Sequence, residues 1–178
     1  MANYSEIKEF DTANGEGVRT TIFFTGCKFK CKGCFNNNIW DFNKGEWFNS
    51  NIYENKIKPT IKEYISGISI LGGEPLHDKN IPAVAALIRW FKNDFPDKNI
   101  WLWTGYTYEE LTAQLTWNKI RAKNVEEVLN NIDILVDGQF IEEQRDLTLA
   151  WRGSRNQRVI DVQKSLKKGE IVKYIKEK

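Results

Sequence analysis

The sequence predicts an α/β protein in which residues 1–178 form one domain, built as a partial (β/α) barrel or an open parallel sheet with a cysteine-bearing loop at the carboxyl-terminal ends of the strands. Two observations predict this class. Short β-branched and aromatic runs recur along the chain, most ending in a glycine-containing turn, and amphipathic helical runs lie between them. Such alternation builds right-handed βαβ units on a parallel sheet. The length sets the scale: 178 residues suit one sizeable core, whereas a complete eight-fold barrel takes about 250.

The first strand-like run, Thr20-Thr21-Ile22-Phe23-Phe24-Thr25, ends at Gly26 and enters the cysteine loop. Ahead of it, Asn14-Gly15-Glu16-Gly17 reads either as a hairpin turn or as part of a substrate mouth. Ile68-Ser69-Ile70-Leu71 ends at Gly72-Gly73. A helix is expected next, because Ile81, Val84, Leu87, Ile88 and Phe91 share one face and Pro82 falls where a first turn tolerates it. Ile100-Trp101-Leu102-Trp103 ends at Thr104-Gly105, with both tryptophans read as strand packing. Thr107-Tyr108-Glu109-Glu110 has capping-box spacing ahead of Leu111 and Leu115, and Asn124 is expected to cap a helix carrying Val125, Val128 and Leu129. Ile132-Asp133-Ile134-Leu135-Val136 ends at Asp137-Gly138, and Arg158-Val159-Ile160-Asp161-Val162 is a fifth run. Residues 162–178 read as a peripheral carboxyl-terminal extension, in which Ile171-Val172-Lys173-Tyr174 is either a last strand or part of a loosely ordered tail.

Ligands of parallel α/β folds bind at the carboxyl ends of the strands. The cysteine loop, Gly72-Gly73-Glu74-Pro75, Thr104-Gly105-Tyr106 and Asp137-Gly138-Gln139-Phe140 each follow a strand and are expected to converge on one mouth.

Composition narrows the function. Hydrophobic residues make up 41% and charged residues 28%, and 26 basic against 24 acidic residues leave a formal charge of +2. That balance offers no electrostatic reason for a nucleic-acid partner. No apolar h-region or membrane-length apolar run is present, so the expected location is cytoplasmic, with no membrane partner. Arg145, Arg152, Arg155 and Arg158 read as a solvated face or as a surface for a partner.

All three cysteines lie in Cys27-Lys28-Phe29-Lys30-Cys31-Lys32-Gly33-Cys34. Clustered thiols in a reducing compartment point to metal or redox chemistry over disulfides. A [4Fe–4S] cluster ordinarily takes four thiolates, so three leave one iron open to a small molecule. An amine and a carboxylate on one molecule can fill that position, and the methionine end of S-adenosylmethionine offers the pair. A zinc site completed by His77, the only histidine, is an alternative on ligand count alone.

Cys27-x3-Cys31-x2-Cys34 followed by Gly72-Gly73-Glu74-Pro75 resembles the pattern of the radical S-adenosylmethionine superfamily. Asp11-Thr12-Ala13-Asn14-Gly15-Glu16-Gly17-Val18-Arg19, Gly33-Cys34-Phe35-Asn36, Trp103-Thr104-Gly105-Tyr106-Thr107, Asp137-Gly138-Gln139-Phe140 and the stretch from Arg152 to Asp161 are similar to the activating proteins of anaerobic (class III) ribonucleotide reductase. Many superfamily members carry an aromatic residue before the third cysteine; this chain has Gly33, as the activating proteins do. The resemblance implies Cys27, Cys31 and Cys34 as ligands of a [4Fe–4S] cluster. It also implies S-adenosylmethionine flanked by Gly33, Cys34 and Phe35 and by Gly72, Gly73 and Glu74, with Glu74 or a nearby carbonyl accepting from its ammonium group. It implies a 5′-deoxyadenosyl radical, anaerobic ribonucleoside-triphosphate reductase as the protein substrate, and a one-electron donor such as a flavodoxin-type protein. Activation of another glycyl-radical protein of the pyruvate formate-lyase type, or service as a non-enzymatic iron–sulfur electron carrier, stays open. Asp137 is a further candidate, for a ribose hydroxyl.

Overall fold

The computed structural model describes residues 1–114 and 119–174. Its centre is a seven-stranded mixed sheet in the order β3-β1-β2-β4-β5-β6-β7, not closed into a barrel. The strands are β1 (Asn3–Asp11), β2 (Arg19–Phe24), β3 (Glu46–Trp47), β4 (Gly67–Gly72), β5 (Asn99–Trp103), β6 (Ile134–Asp137) and β7 (Arg158–Asp161). The helices are α1 (Ser50–Ile52), α2 (Ile81–Asp94), α3 (Tyr108–Gln114), α4 (Lys119–Asn131) and α5 (Val162–Lys168).

β2, β4, β5 and β6 are parallel, as their glycine-terminated apolar runs predict. The flanks depart from that expectation. β1 pairs antiparallel with β2, so Asn14-Gly15-Glu16-Gly17 belongs to the connection of an antiparallel pair. That connection lies at the amino ends of the parallel strands, a strand length of about 20 Å from the cysteine loop, and its Asn14 carbonyl accepts from Ser69 Oγ at 2.5 Å. It therefore forms no part of the mouth. β7 is antiparallel to β6 because no crossover helix lies between them, only the loop 138–157. The fifth run stops at Asp161, whose carboxylate accepts from the Lys164 backbone and starts α5 at Val162. Val172 and Tyr174 add backbone hydrogen bonds to Asp161 and Val159, a bridge in place of a full last strand.

Period-two alternation sends Ile22, Phe24, Ile68, Ile70, Ile100, Leu102, Leu135 and Ile160 to one face of the sheet. α2 and α4 cover that face. Ile81, Val84, Leu87, Ile88 and Phe91 are the buried stripe of α2, with Pro82 in its first turn. The capping box of α3 is reciprocal: Glu110 N donates to Thr107 Oγ1 at 3.2 Å and Thr107 N to Glu110 Oε2 at 2.7 Å. Leu111 is buried beneath it, while Leu115 lies outside the described residues. Asn124 does not cap a helix, since α4 already begins at Lys119.

The opposite face carries Trp101, Ile134, Val136 and Val159 with Trp103 and Trp151. Trp101 stacks on Trp103 at 5.8 Å and meets Trp151 edge-on at 4.9 Å, which makes both strand tryptophans packing residues. Arg19 lies fully buried on this face, 5.4 Å over the Trp101 ring, donating to Ser69 Oγ at 2.7 Å and to the Ile68 carbonyl at 2.7 Å. Burial brings its pKa down to about 10, so it stays charged at neutral pH.

Candidate active site at the cysteine loop

After β2 the chain leaves the sheet through Thr25-Gly26 and loops back on itself. Gly26 N and Cys27 N donate to the carbonyls of Ile39 and Trp40 at 2.8 and 3.0 Å, closing the cysteine loop at its base. Within it, Cys34 N donates to the Cys31 carbonyl at 3.1 Å. Asn36 Nδ2 reaches the Gly72 carbonyl at 3.1 Å and joins the loop to the end of β4.

The loop after β4 is fastened by its backbone. Gly73 N donates to the Phe24 carbonyl at 2.7 Å and Glu74 N to the Gly26 carbonyl at 2.8 Å. A side chain at position 73 would stand 2.4 Å from the Gly26 oxygen, so the close approach that requires glycine here is to the base of the cysteine loop. Asn80, almost fully buried, completes the junction: its Nδ2 donates to the carbonyls of Thr25 and Glu74 at 2.8 and 2.9 Å.

Glu74 faces inward. Its Oε1 accepts from Leu76 N at 2.8 Å and Thr104 Oγ1 at 2.7 Å, and its Oε2 from Gly105 N at 2.7 Å. The carboxylate thus pins the β5 loop to the β4 loop, and its oxygens are engaged by donors of the chain itself. Burial pushes its pKa up to about 7 against those three donors.

The result is a cavity of about 130 Å³ lined by Cys27, Cys31 and Cys34, by Gly72, Gly73 and Glu74, by Thr104 and Gly105, and by Gly138, Gln139 and Phe140. All four loops expected at the mouth contribute. Leu71, Trp103 and Gln157 form the wall toward the tryptophan face, and a cleft of about 930 Å³ opens beside it. Burial raises the pKa of the Cys27 and Cys31 thiols; the backbone amides of Phe29 and Lys30 oppose the shift at Cys27, and that of Phe140 at Cys31. Among the described residues no three His, Cys, Asp or Glu side chains are gathered as closely as a single metal ion needs. Three soft thiols around one cavity, with the neighbouring carboxylate already engaged, are a donor set that suits an iron–sulfur cluster.

A family model described as a 4Fe-4S single cluster domain matches residues 13–160. The anaerobic ribonucleoside-triphosphate reductase-activating protein of Vibrio cholerae is 41% identical over 158 residues, covering 87% of this chain and 95% of that protein. Its namesake from enterobacteria phage T4 is 38% identical over 88% of this chain and 92% of its own, and that of Escherichia coli K12 is 37% identical over 87% and 96%. The chain belongs to the anaerobic ribonucleoside-triphosphate reductase-activating protein family.

In this activating-protein family member the expected site residues fall into two groups. Cys27, Cys31, Cys34, Gly72, Gly73 and Glu74 line the cavity. Gly33 and Phe35 stand outside it: Gly33 packs its open side against Glu142, and Phe35 is 97% exposed. Asp137 lies outside that cavity and lines the neighbouring cleft, where its oxygens accept from Tyr108 N at 2.7 Å and Arg158 Nε at 3.0 Å. Arg158 also grips Glu109, which closes one end of the arginine run internally, and Arg155 pairs with Asp146 at 3.1 Å. His77 stacks on Phe42 at 4.4 Å and its Nδ1 accepts from Lys79 N at 3.2 Å, away from the cysteine cavity. Asn80 lies outside every motif of the sequence, and its one signal is its place just before the α2 stripe.

Proposed function

We propose that this chain activates an anaerobic ribonucleoside-triphosphate reductase by forming a glycyl radical in it, using a [4Fe–4S] cluster on Cys27, Cys31 and Cys34 and S-adenosylmethionine bound beside it. The observation that carries this reading is the convergence of the three cysteines with Gly72, Gly73 and Glu74 in one cavity at the carboxyl ends of the parallel strands. When bound, the cluster and S-adenosylmethionine would supply a one-electron reductive cleavage of the sulfonium to methionine and a 5′-deoxyadenosyl radical able to take a Cα hydrogen from a glycine of the reductase.

The chain's own residues bind, orient and exclude water. Asn36 ties the Gly72 carbonyl to the cysteine loop, and the Gly72-Gly73 backbone at the cavity wall would hold the methionine end of S-adenosylmethionine. Glu74 is a positioning residue that sets the distance between the β4 and β5 loops. Leu71 and Trp103 give that wall an apolar surface, which protects a radical from solvent. Phe35 remains on the open side of the rim, where an entering loop of the reductase meets it.

The whole chain acts as one domain in this reading, and an external one-electron donor of the flavodoxin type reduces the cluster. Among the described residues no helix is long and apolar enough to cross a membrane. The reading places the protein in the cytoplasm, where thiols stay reduced.

Release of 5′-deoxyadenosine from S-adenosylmethionine by the anaerobically reconstituted, reduced protein tests the proposal. The wild type releases it and a Cys31→Ala variant does not. A cluster that forms in the wild type yet yields no 5′-deoxyadenosine, with or without the reductase, contradicts the reading.

A further inference from the structure

The cysteine loop carries a lysine between its ligands at every interval, and these cations do not all serve the same side of the molecule. Lys32 turns toward the loop 138–157 and pairs with Glu142 at 3.1 Å. Lys28 turns the other way. Its Nζ stands 5.0 Å from the centre of the Tyr106 ring and 5.7 Å from that of Phe29. Arg121, from the first turn of α4, stands 5.2 Å over the same Tyr106 ring. Lys79, just ahead of α2, stands 5.0 Å over Phe42, whose ring packs on His77.

These contacts gather Lys28, Lys79 and Arg121 into one basic patch around His77. Burial holds His77 below its usual pKa, and the fields of Lys28, Arg121 and Lys79 act in the same direction against that of Asp78. Asp78 is engaged with Arg121. Among the described residues Lys28 and Lys79 have no carboxylate within ion-pair distance, and both are exposed. Aromatic rings hold these cations in place, an arrangement different from freely solvated lysines.

The position of the patch gives it meaning. Tyr106 belongs to the core on the helix-covered face of the sheet, whereas the cysteine cavity has its apolar wall, Leu71 and Trp103, on the tryptophan face. Phe29, the ring beneath Lys28 that packs on Tyr106, also lines the cysteine cavity with Cys27, so the patch borders that cavity on its helix-covered side. Each turnover in the proposed function consumes one electron. The chain's three cysteines all lie in the one loop, so no second thiolate-bound redox group is available to store that electron.

We propose that Lys28 and Lys79 form the docking surface for an acidic one-electron carrier protein, which delivers its electron at Cys27. The inference rests on the proposed function. Complementary charge at such a rim acts mainly on the rate of encounter, and salt screens it over about 8–10 Å.

The test is single-turnover reduction of the cluster-loaded protein, followed by bleaching of the cluster's visible absorption. Reduced flavodoxin, an acidic flavoprotein, is compared with photoexcited 5-deazariboflavin, a small uncharged reductant. Paired reversal by Lys28→Glu and Lys79→Glu slows reduction by flavodoxin by about tenfold or more at low salt. The deazaflavin arm is unchanged, and raising the salt slows the wild type but hardly affects the variant. Lys79→Glu alone, further from the ligands, gives a smaller loss of the same kind. Equal flavodoxin rates for wild type and variants, or a wild-type rate indifferent to salt, overturns the proposal. The two readings fail separately: no 5′-deoxyadenosine from the deazaflavin-reduced wild type sinks the proposed function, whereas the docking surface fails on the flavodoxin arm alone.

Discussion

Glu74 shows how a single residue of a recognisable motif can act at one remove from the chemistry. Its three donors come from Leu76, Thr104 and Gly105, so it couples two loops of the rim. A Glu74→Gln substitution replaces one acceptor by an NH₂ group that faces a donor, at a cost of about 1–3 kcal/mol. The pH dependence has a definite sign. Burial raises this carboxyl to about 7 from its ordinary 4.5, so the folded state keeps a proton that the unfolded chain loses between those values. Its contribution to stability is full below the lower value and is lost as pH rises through the upper one. Denaturant titrations at pH 5 and pH 8 check this: the stability difference between wild type and Glu74→Gln narrows at the higher pH, and a widening difference contradicts the assignment. None of this was legible in the sequence, where the partners Thr104 and Gly105 lie far from Glu74 along the chain. Arg158, which grips Asp137, likewise stands 21 residues away along the chain.

Elements were legible where local chemistry agreed with tertiary packing. The stripe of α2 and the reciprocal cap of α3 are written in side-chain spacing, and both are present as expected. Thr107→Ala removes the cap acceptor and costs about 1 kcal/mol; Leu87→Ala opens a cavity under α2 and costs about 2–5 kcal/mol. Thermal unfolding of the two variants orders these effects, with Leu87→Ala the larger. β1 was missed because register shifts between Tyr4 and Glu6 and between Lys8 and Asp11 break the period of two. The start of α4 was misplaced because Asn124 has the chemistry of a cap while lying inside the helix.

At the scale of the molecule, the four parallel strands and the convergence of their loops followed from glycine-terminated apolar runs, whereas the antiparallel flanks did not. A strand's direction depends on what connects it, and the loop 138–157 holds only the 3₁₀ turn Glu142–Gln144, with no crossover helix to carry the chain back to the other end of the sheet. The sheet then gives the cysteine rim two sides, an apolar wall toward the tryptophan face and a basic border toward the helices. On the proposed function the chain makes a glycyl radical in the reductase. Electron paramagnetic resonance of the reductase after anaerobic incubation with the cluster-loaded chain, a reductant and S-adenosylmethionine tests it most directly. The expected spectrum is a glycyl-radical doublet that requires S-adenosylmethionine and disappears with Cys31→Ala; 5′-deoxyadenosine accumulating while the reductase stays free of any radical would overturn the proposed function.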